Sequence, residues 1–475
     1  MKEGKIALYE KPSFIFLILI PVLLIVCRYI IGFNGLYGQD AHEYLRYTNA
    51  IHVFFIDNTP PGEFHWETMY PALGALLSFI CSASFSLQLI SIASLSGTLF
   101  FIHKILVLLY GDKKEALIYV LVFGLFSTYF LRLGLCAMSD MLTIFFVIAS
   151  IYYILKLEKG ANASNLMLVL VFSTAAVLTR LPSAIVLFIP VLRIIVKQFQ
   201  KTHVKVWFFS ILICVLLYFS MYFLKKDQHL NMFEALKEWN VKNFFADSFA
   251  NPGNGNEHYN FSNIIFILFF FIHPGYVLIS AALIPFIRKT DLFNIQLFNL
   301  LIPIFIYLFF LTGLMHQNVR LNTLALPLWI IFLFPAFLRF KEKLLKTTNL
   351  WLSMLLIVIV SQLVLFYFGF NKFVAQAELE RQIAGTVNEK YAGMPIYTLG
   401  MEGAMLSYSN AREIHSLGVA EPECGAEKLI LIPTEKFEIQ WKNLRPFRDW
   451  YFYQQNCDVH KLMSFDQGWD LYECK

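Results

Sequence analysis

The chain has 475 residues, 58% of them hydrophobic and 15% charged, with a net charge of +5 and a mean hydropathy of +0.59. Soluble domains carry roughly 45–50% apolar and about 25% charged residues, so soluble, fibrous and disordered classes are excluded. What remains is an all-α polytopic membrane protein.

A span needs roughly 20 mostly apolar residues. The sequence predicts about eleven, near 13–32, 86–110, 115–133, 139–156, 164–180, 182–197, 206–224, 262–287, 294–312, 321–338 and 350–370. The first run is too long, and lacks the small-residue cleavage site, for a removable signal. Lys and Arg mark cytoplasmic loops. With the N-terminus inside, Lys113, Lys114, Lys156, Lys159, Arg193, Lys197, Lys201, Lys205, Arg288, Lys289 and Arg339 to Lys346 fall inside, in short loops. The outside loops are longer and less basic, and an odd span count puts the C-terminus outside. The apolar stretch Met69–Phe85 then cannot cross without moving the basic 193–205 loop outside. It is expected as a juxtamembrane or re-entrant helix on the outer face. Lys341 to Lys346 read as a cytoplasmic anchor, not a nucleic-acid site.

Two domains follow: a transmembrane catalytic domain over 1–370, with outer loops at 33–85 and 226–261, and an extracytoplasmic α/β domain over 371–475. In the latter, Pro395–Leu399, Lys428–Ile432 and Trp469–Cys474 read as strands, and Phe373–Lys390 and Leu444–Gln455 as helices. Of the seven cysteines, Cys424, Cys457 and Cys474 lie in this region, where two can pair if it faces an oxidising compartment.

Polar chemistry gathers at the predicted outer boundary. Gly38-Gln39-Asp40-Ala41-His42-Glu43-Tyr44 follows the first span. Asp40, His42, Glu43 and Tyr44 can supply a general base, a metal ligand and a hydroxyl for sugar or phosphate. Ser139-Asp140 opens the fourth span, Thr179-Arg180-Leu181-Pro182 breaks the chain between two spans, and His316-Gln317-Asn318-Val319-Arg320 opens the tenth. Arg binds phosphate in bidentate fashion. The plain alternatives are helix capping for Asp40, Ser139 and Asp140, and headgroup snorkelling for Arg180 and Arg320. His229, Glu234, Asp247, Glu257 and His258 are scattered without metal-ligand spacing. There is no P-loop, GxGxxG, paired CxxC or HExxH.

In order and sidedness these motifs resemble the C-type superfamily (GT-C) of integral membrane glycosyltransferases. The likeness is to the bacterial branch near the protein O-mannosyltransferases and lipid A aminoarabinose transferases. It covers about residues 10–370: Gly-x-Asp-x-x-x-Tyr at Gly38–Tyr44, the Pro-containing Met69-Tyr70-Pro71, Asp140, Thr179–Pro182, and Arg320 before the Pro327 span. Relatives place an acid or aromatic beside the late Arg, where this chain has Gln317, Asn318, Val319 and Leu321. Glu63 and Glu67 match the family's acid pair only loosely.

The resemblance implies transfer of a sugar from a polyprenyl-phosphate donor to an acceptor hydroxyl, with inversion, at the outer face of an inner (plasma) membrane. Asp40 would be the base, with Asp140 orienting the acceptor or tuning Asp40. Arg320, Arg180 and His316 would hold the donor phosphate, and Tyr44, His42 and Glu43 the substrate. Some relatives use a divalent metal between acids; here that option is open but not favoured, and no other cofactor is expected. The acceptor is a lipid, glycan or protein. A glycan polymerase or ligase, a transporter and a receptor-like sensor are the competing readings; polarity on one face rather than at the midplane disfavours transport.

Overall fold

The structure is a computed structural model that describes residues 11–160, 164–225, 239–251, 255–344, 348–425 and 427–475. His229, Glu234 and Lys346 lie outside the described residues.

The helices follow the apolar runs. They are α1 (Pro12–Ile31), α2 (Gly38–Asp57), α3 (Met69–Leu77), α4 (Ala83–Tyr110), α5 (Lys113–Leu125), α6 (Thr128–Leu135) and α7 (Asp140–Glu158). Next come α8 (Ser164–Thr179), α9 (Ser183–Gln198) and α10 (Val204–Leu224). A hairpin of β1 (Ser248–Asn251) and β2 (Gly255–His258) precedes α11 (Asn263–Ile272), α12 (Pro274–Phe286), α13 (Ile295–Thr312), α14 (Leu326–Leu344) and α15 (Thr348–Lys390).

Among the described residues five helices are long and apolar enough to cross a membrane, or up to seven if each bent pair counts as one span. The pairs are α5 with α6, bent by 68°, and α11 with α12, bent by 49°. The second break has a local cause. His273 is extended (φ −76°, ψ 129°) ahead of Pro274, as the residue before proline tends to be. The outward faces are apolar, as on α10, where Phe208, Phe209, Leu216 and Phe223 are exposed. Such a surface suits lipid and not water.

Three expectations shift. Met69–Phe85 is not one helix: α3 ends at Leu77 and α4 starts at Ala83. Nine residues of α3 span about 14 Å, short of a bilayer. The helix expected as the tenth span begins at Leu326, so Arg320 stands in a preceding 3₁₀ turn, Val319–Leu324. The predicted boundary at 370 falls inside α15, a single helix of 43 residues that carries the last span straight into the C-terminal region.

That region adds α16 (Glu402–Tyr408), α17 (Thr434–Trp441), α18 (Arg445–Asn456) and five strands: β3 (Ile396–Thr398), β4 (Ile414–Ser416), β5 (Lys428–Ile432), β6 (Val459–Ser464) and β7 (Asp470–Cys474). The sheet order is β4-β3-β5-β7-β6. β5 pairs parallel with β3 and antiparallel with β7. Its run Lys-Leu-Ile-Leu-Ile is buried throughout, which suits the central strand. Cys424 and Cys457 form a disulfide with Cα atoms 5.5 Å apart, and Cys474 is buried and free.

Candidate active site

Gly38 opens α2 with a positive φ of 63°, a conformation that glycine adopts without steric cost. Tyr37 holds the N-cap position, so Asp40 is not the cap but lies within the first helical turn. A carboxylate there complements the helix dipole. Its side chain is 36% exposed, and its Oδ2 accepts a hydrogen bond from Arg320 Nη2 at 2.9 Å. Arg320 is held in turn by Asn318, whose Oδ1 accepts from the Arg320 backbone N–H at 3.0 Å. Asn318 thus fixes the backbone of the turn, while the guanidinium is supported by acids distant in sequence and not by its neighbours.

The same guanidinium reaches a second acid, with Nε 3.7 Å from Asp140 Oδ1. Asp140 is buried, and Arg180 Nη1 hydrogen-bonds the same Oδ1. Arg180 sits where Pro182 separates α8 from α9. Asp40, Arg320, Asp140 and Arg180, from four distant stretches of chain, thus form one alternating line of charge. Arg320 lies between the two carboxylates, so it screens each from the other. Only the Asp140 end of the line is buried; removing one partner of a fully buried pair costs about 3–5 kcal/mol, because the remaining charge is stranded.

The other predicted residues are placed differently. Ser139 is at the N-cap of α7 but makes no capping hydrogen bond. Its hydroxyl instead meets the Tyr44 hydroxyl at 2.7 Å. Tyr44 is buried among Phe64, Trp66 and Tyr70, and burial pushes its phenol well above the usual range. It ties α2 to α7 rather than facing a substrate. Glu43 takes two hydrogen bonds from Arg46, at 2.6 and 2.7 Å, on the exposed side of α2. His316 lies half-buried in the bend after α13.

His42 is fully buried, with Nδ1 2.8 Å from Ser407 Oγ and Nε2 3.0 Å from Glu380 Oε2. Both ring nitrogens are occupied by the C-terminal region, so His42 is not placed to bind substrate. Glu380 also accepts from the Gly38 N–H at 2.8 Å. Gln39 donates to Glu402, and the Gly403 N–H donates to Gln39 Oε1 at 2.9 Å. A Cβ on Gly403 would stand 2.8 Å from the His42 Cβ, so only glycine lets α16 approach this closely. The Asp40 turn is therefore clamped from outside. Glu380, Glu402 and Ser407 carry no motif, and only their meeting with α2 reveals them. Glu380→Ala is expected to cost about 1–3 kcal/mol in thermal unfolding, because the buried His42 and the half-buried Gly38 N–H and Gln376 lose their partner. Glu380→Gln, which still accepts from Gly38, should cost less; equal stability of all three proteins would contradict the clamp.

An apolar cavity of about 420 Å³ runs between α8, α9 and α10, lined by Leu170, Val177, Leu178, Leu187 and Phe188, with Glu67 among its walls. Burial raises the Glu67 carboxyl above the usual carboxylate range, against the opposing pull of Arg180 and Lys225. Lys225 is lowered by its own burial, with Glu67 acting the other way. A smaller cavity lies against Asp140, Arg180, Tyr307 and Thr323. Among the described residues no group of three or more His, Cys, Asp or Glu is arranged to hold a metal ion.

No protein-family profile and no curated protein matches the sequence. Solved structures do. ArnT from Cupriavidus metallidurans bound to undecaprenyl phosphate superposes with a TM-score of 0.63 over 95% of this chain and 97% of that one, at 10% identity. The apo state of the same protein gives a TM-score of 0.56 with the same coverage and identity. At such low identity the likeness is one of fold, and it extends through the C-terminal sheet region as well as the bundle. The chain has the fold of ArnT.

Proposed function

We propose that this protein is a glycosyltransferase that moves a sugar from a polyprenyl-phosphate donor to an acceptor hydroxyl. The observation that carries this reading is the charge line Asp40–Arg320–Asp140–Arg180 beside an apolar groove. A lipid-linked sugar presents an isoprenoid tail, a phosphate and an anomeric carbon, and this arrangement offers a counterpart to each. The groove takes part of the tail. Arg320 and Arg180, kept on Asp140, offer their remaining N–H groups to the phosphate. Asp40, the more exposed acid, accepts the proton of the acceptor hydroxyl as its oxygen attacks the anomeric carbon. The bond from that carbon to the phosphate oxygen breaks, and the polyprenyl phosphate leaves with its electron pair. Attack opposite the leaving group inverts the anomeric centre. Fixed guanidinium groups at the leaving phosphate stabilise charge where it develops, commonly the largest catalytic term. Asp140 holds both arginines in place. No step in this reading requires a metal.

We read the bundle as about eleven spans, with the N-terminus cytoplasmic and residues 371–475 extracytoplasmic, in an inner membrane. The Cys424–Cys457 disulfide supports that side, since disulfides persist in oxidising compartments. Thiol labelling of intact cells checks it: Cys424 and Cys457 are expected to react with an impermeant reagent only after reduction. Labelling confined to permeabilised cells would put the region inside.

The function is tested by incubating purified protein with radiolabelled polyprenyl-phosphate sugars and membrane acceptors. Label is expected to reach an acceptor from at least one donor. If no donor in the panel binds or reacts, a transporter becomes the reading to test.

A further inference from the structure

A separate cavity of about 140 Å³, mostly apolar but holding a few polar side chains, lies between α6, α12 and α15, away from the charge line. It is bounded by Tyr129, Arg132, His273, Phe366 and Gly369. Both bent pairs of helices contribute to it: α6 begins just after one break, and His273 is the other. Interrupted helices at membrane depth are tolerated where they are buried or line a polar cavity. The approach of the two is close. Tyr129 stacks on Tyr276 with ring centroids 4.6 Å apart, and a Cβ on Gly275 would meet the Tyr129 ring at 2.4 Å.

Arg132 is the unusual member. Arg180, Arg320 and Arg339 all hold carboxylates. Arg132 has none within ion-pair distance among the described residues, and its buried Nε makes no hydrogen bond. Its guanidinium lies instead over the rings of Phe373 and Tyr129, at 4.6 and 5.0 Å. An unneutralised cation inside a membrane protein is costly and tends to mark a functional site. Its neighbours are donors too. His273 Nδ1 accepts from the Gly275 N–H at 3.1 Å, which leaves the proton of the neutral ring on Nε2. The Tyr129 hydroxyl is 3.4 Å from that nitrogen. The cavity thus presents a guanidinium, an imidazole N–H and a phenol, with no carboxylate in its wall. Its other wall is the apolar α15, whose outward residues Val364, Tyr367 and Phe368 are exposed.

We propose that this cavity binds the phosphate of an anionic membrane lipid, with the lipid chain lying along the bare face of α15. Polar groups that include a guanidinium and an imidazole N–H, with no carboxylate among them, fit phosphate oxygens. The volume admits a phosphate and excludes a glycosyl phosphate with its tail. The apolar flank selects a lipid over a free ion. The site does not depend on the transferase reading.

Native mass spectrometry of the protein released from phosphatidylcholine nanodiscs containing phosphatidylglycerol tests it. One phosphatidylglycerol is expected to stay bound to wild type. Arg132→Met should weaken that binding about tenfold or more, the scale of a lost charged hydrogen bond. Gly369→Phe keeps Arg132 but fills the cavity, since nothing lies within 4 Å of a Cβ there. It should weaken binding comparably, and it decides the matter if Arg132→Met fails to fold. Arg320→Gln should bind as wild type does. Equal retention by wild type, Arg132→Met and Gly369→Phe overturns the proposal, as does loss confined to Arg320→Gln. Displacement of the lipid by millimolar inorganic phosphate would overturn the lipid assignment in favour of a free anion.

Discussion

Asp40→Asn is expected to lower the transfer rate about 10²–10⁴-fold while the protein stays folded. The substitution keeps the shape of the side chain and an oxygen that can accept from Arg320 Nη2, now 2.9 Å away. It removes the basicity needed to take the acceptor proton. Asp140 cannot readily replace it, being buried at 5% exposure and engaged by Arg180 and Arg320. The check is kcat for transfer from a polyprenyl-phosphate sugar, beside thermal unfolding of both proteins. A variant within tenfold of wild type would remove Asp40 as the base. A variant that loses its thermal transition would show instead that the Asp40–Arg320 pair is mainly structural.

Arg320→Ala should have a second large effect, of a different kind. Among the described residues it takes the only guanidinium that touches both acids, and with it the ion-pair partner of Asp40. Loss of one preorganised donor at a site of developing charge lowers kcat about 10²–10³-fold. Because the arginine is assigned to the donor phosphate, the donor KM should rise more than the acceptor KM. Equal changes in both would argue against a phosphate role. Stability should fall by less than the roughly 3–5 kcal/mol typical of a broken buried pair, since Asp40 is partly solvated and Asp140 keeps Arg180. Arg320→Lys is the informative companion. It restores the charge but cannot span two carboxylates as a planar fork does, so it should recover only part of the rate.

The two arginines differ in what their loss would leave behind. Arg180 faces Asp140 on one side and acts electrostatically on Glu67 on the other. It is therefore the end of the charge line that adjoins the apolar groove, whose wall includes Leu178 and Leu181. That position suits a residue that guides a phosphate inward from a tail already seated among α8, α9 and α10.

Apolar content decides the class without help from structure: no soluble fold buries so much, and the runs of about 20 residues locate most of the helices, though not the breaks that divide the expected spans 115–133 and 262–287. Periodicity likewise marks β3, β5, β7, α18 and the outer half of α15, because strand alternation and helical stripes are local properties. Polar residues at the ends of apolar runs are visible for the same reason, and so Asp40, Asp140, Arg180 and Arg320 stand out from the chain alone. Their meeting does not. It depends on how α2, α7, the α8–α9 break and the turn before α14 pack together, across separations of up to 280 residues. The roles of His42 and Tyr44 also turn on packing. From the chain they are polar neighbours of an acid; in the fold they are buried against Glu380 and Ser139 and hold that acid still. Glu380 and Arg132 have no local signature at all. A lone charge in a helix reads as solvated or snorkelling until the tertiary structure shows whether another charge faces it.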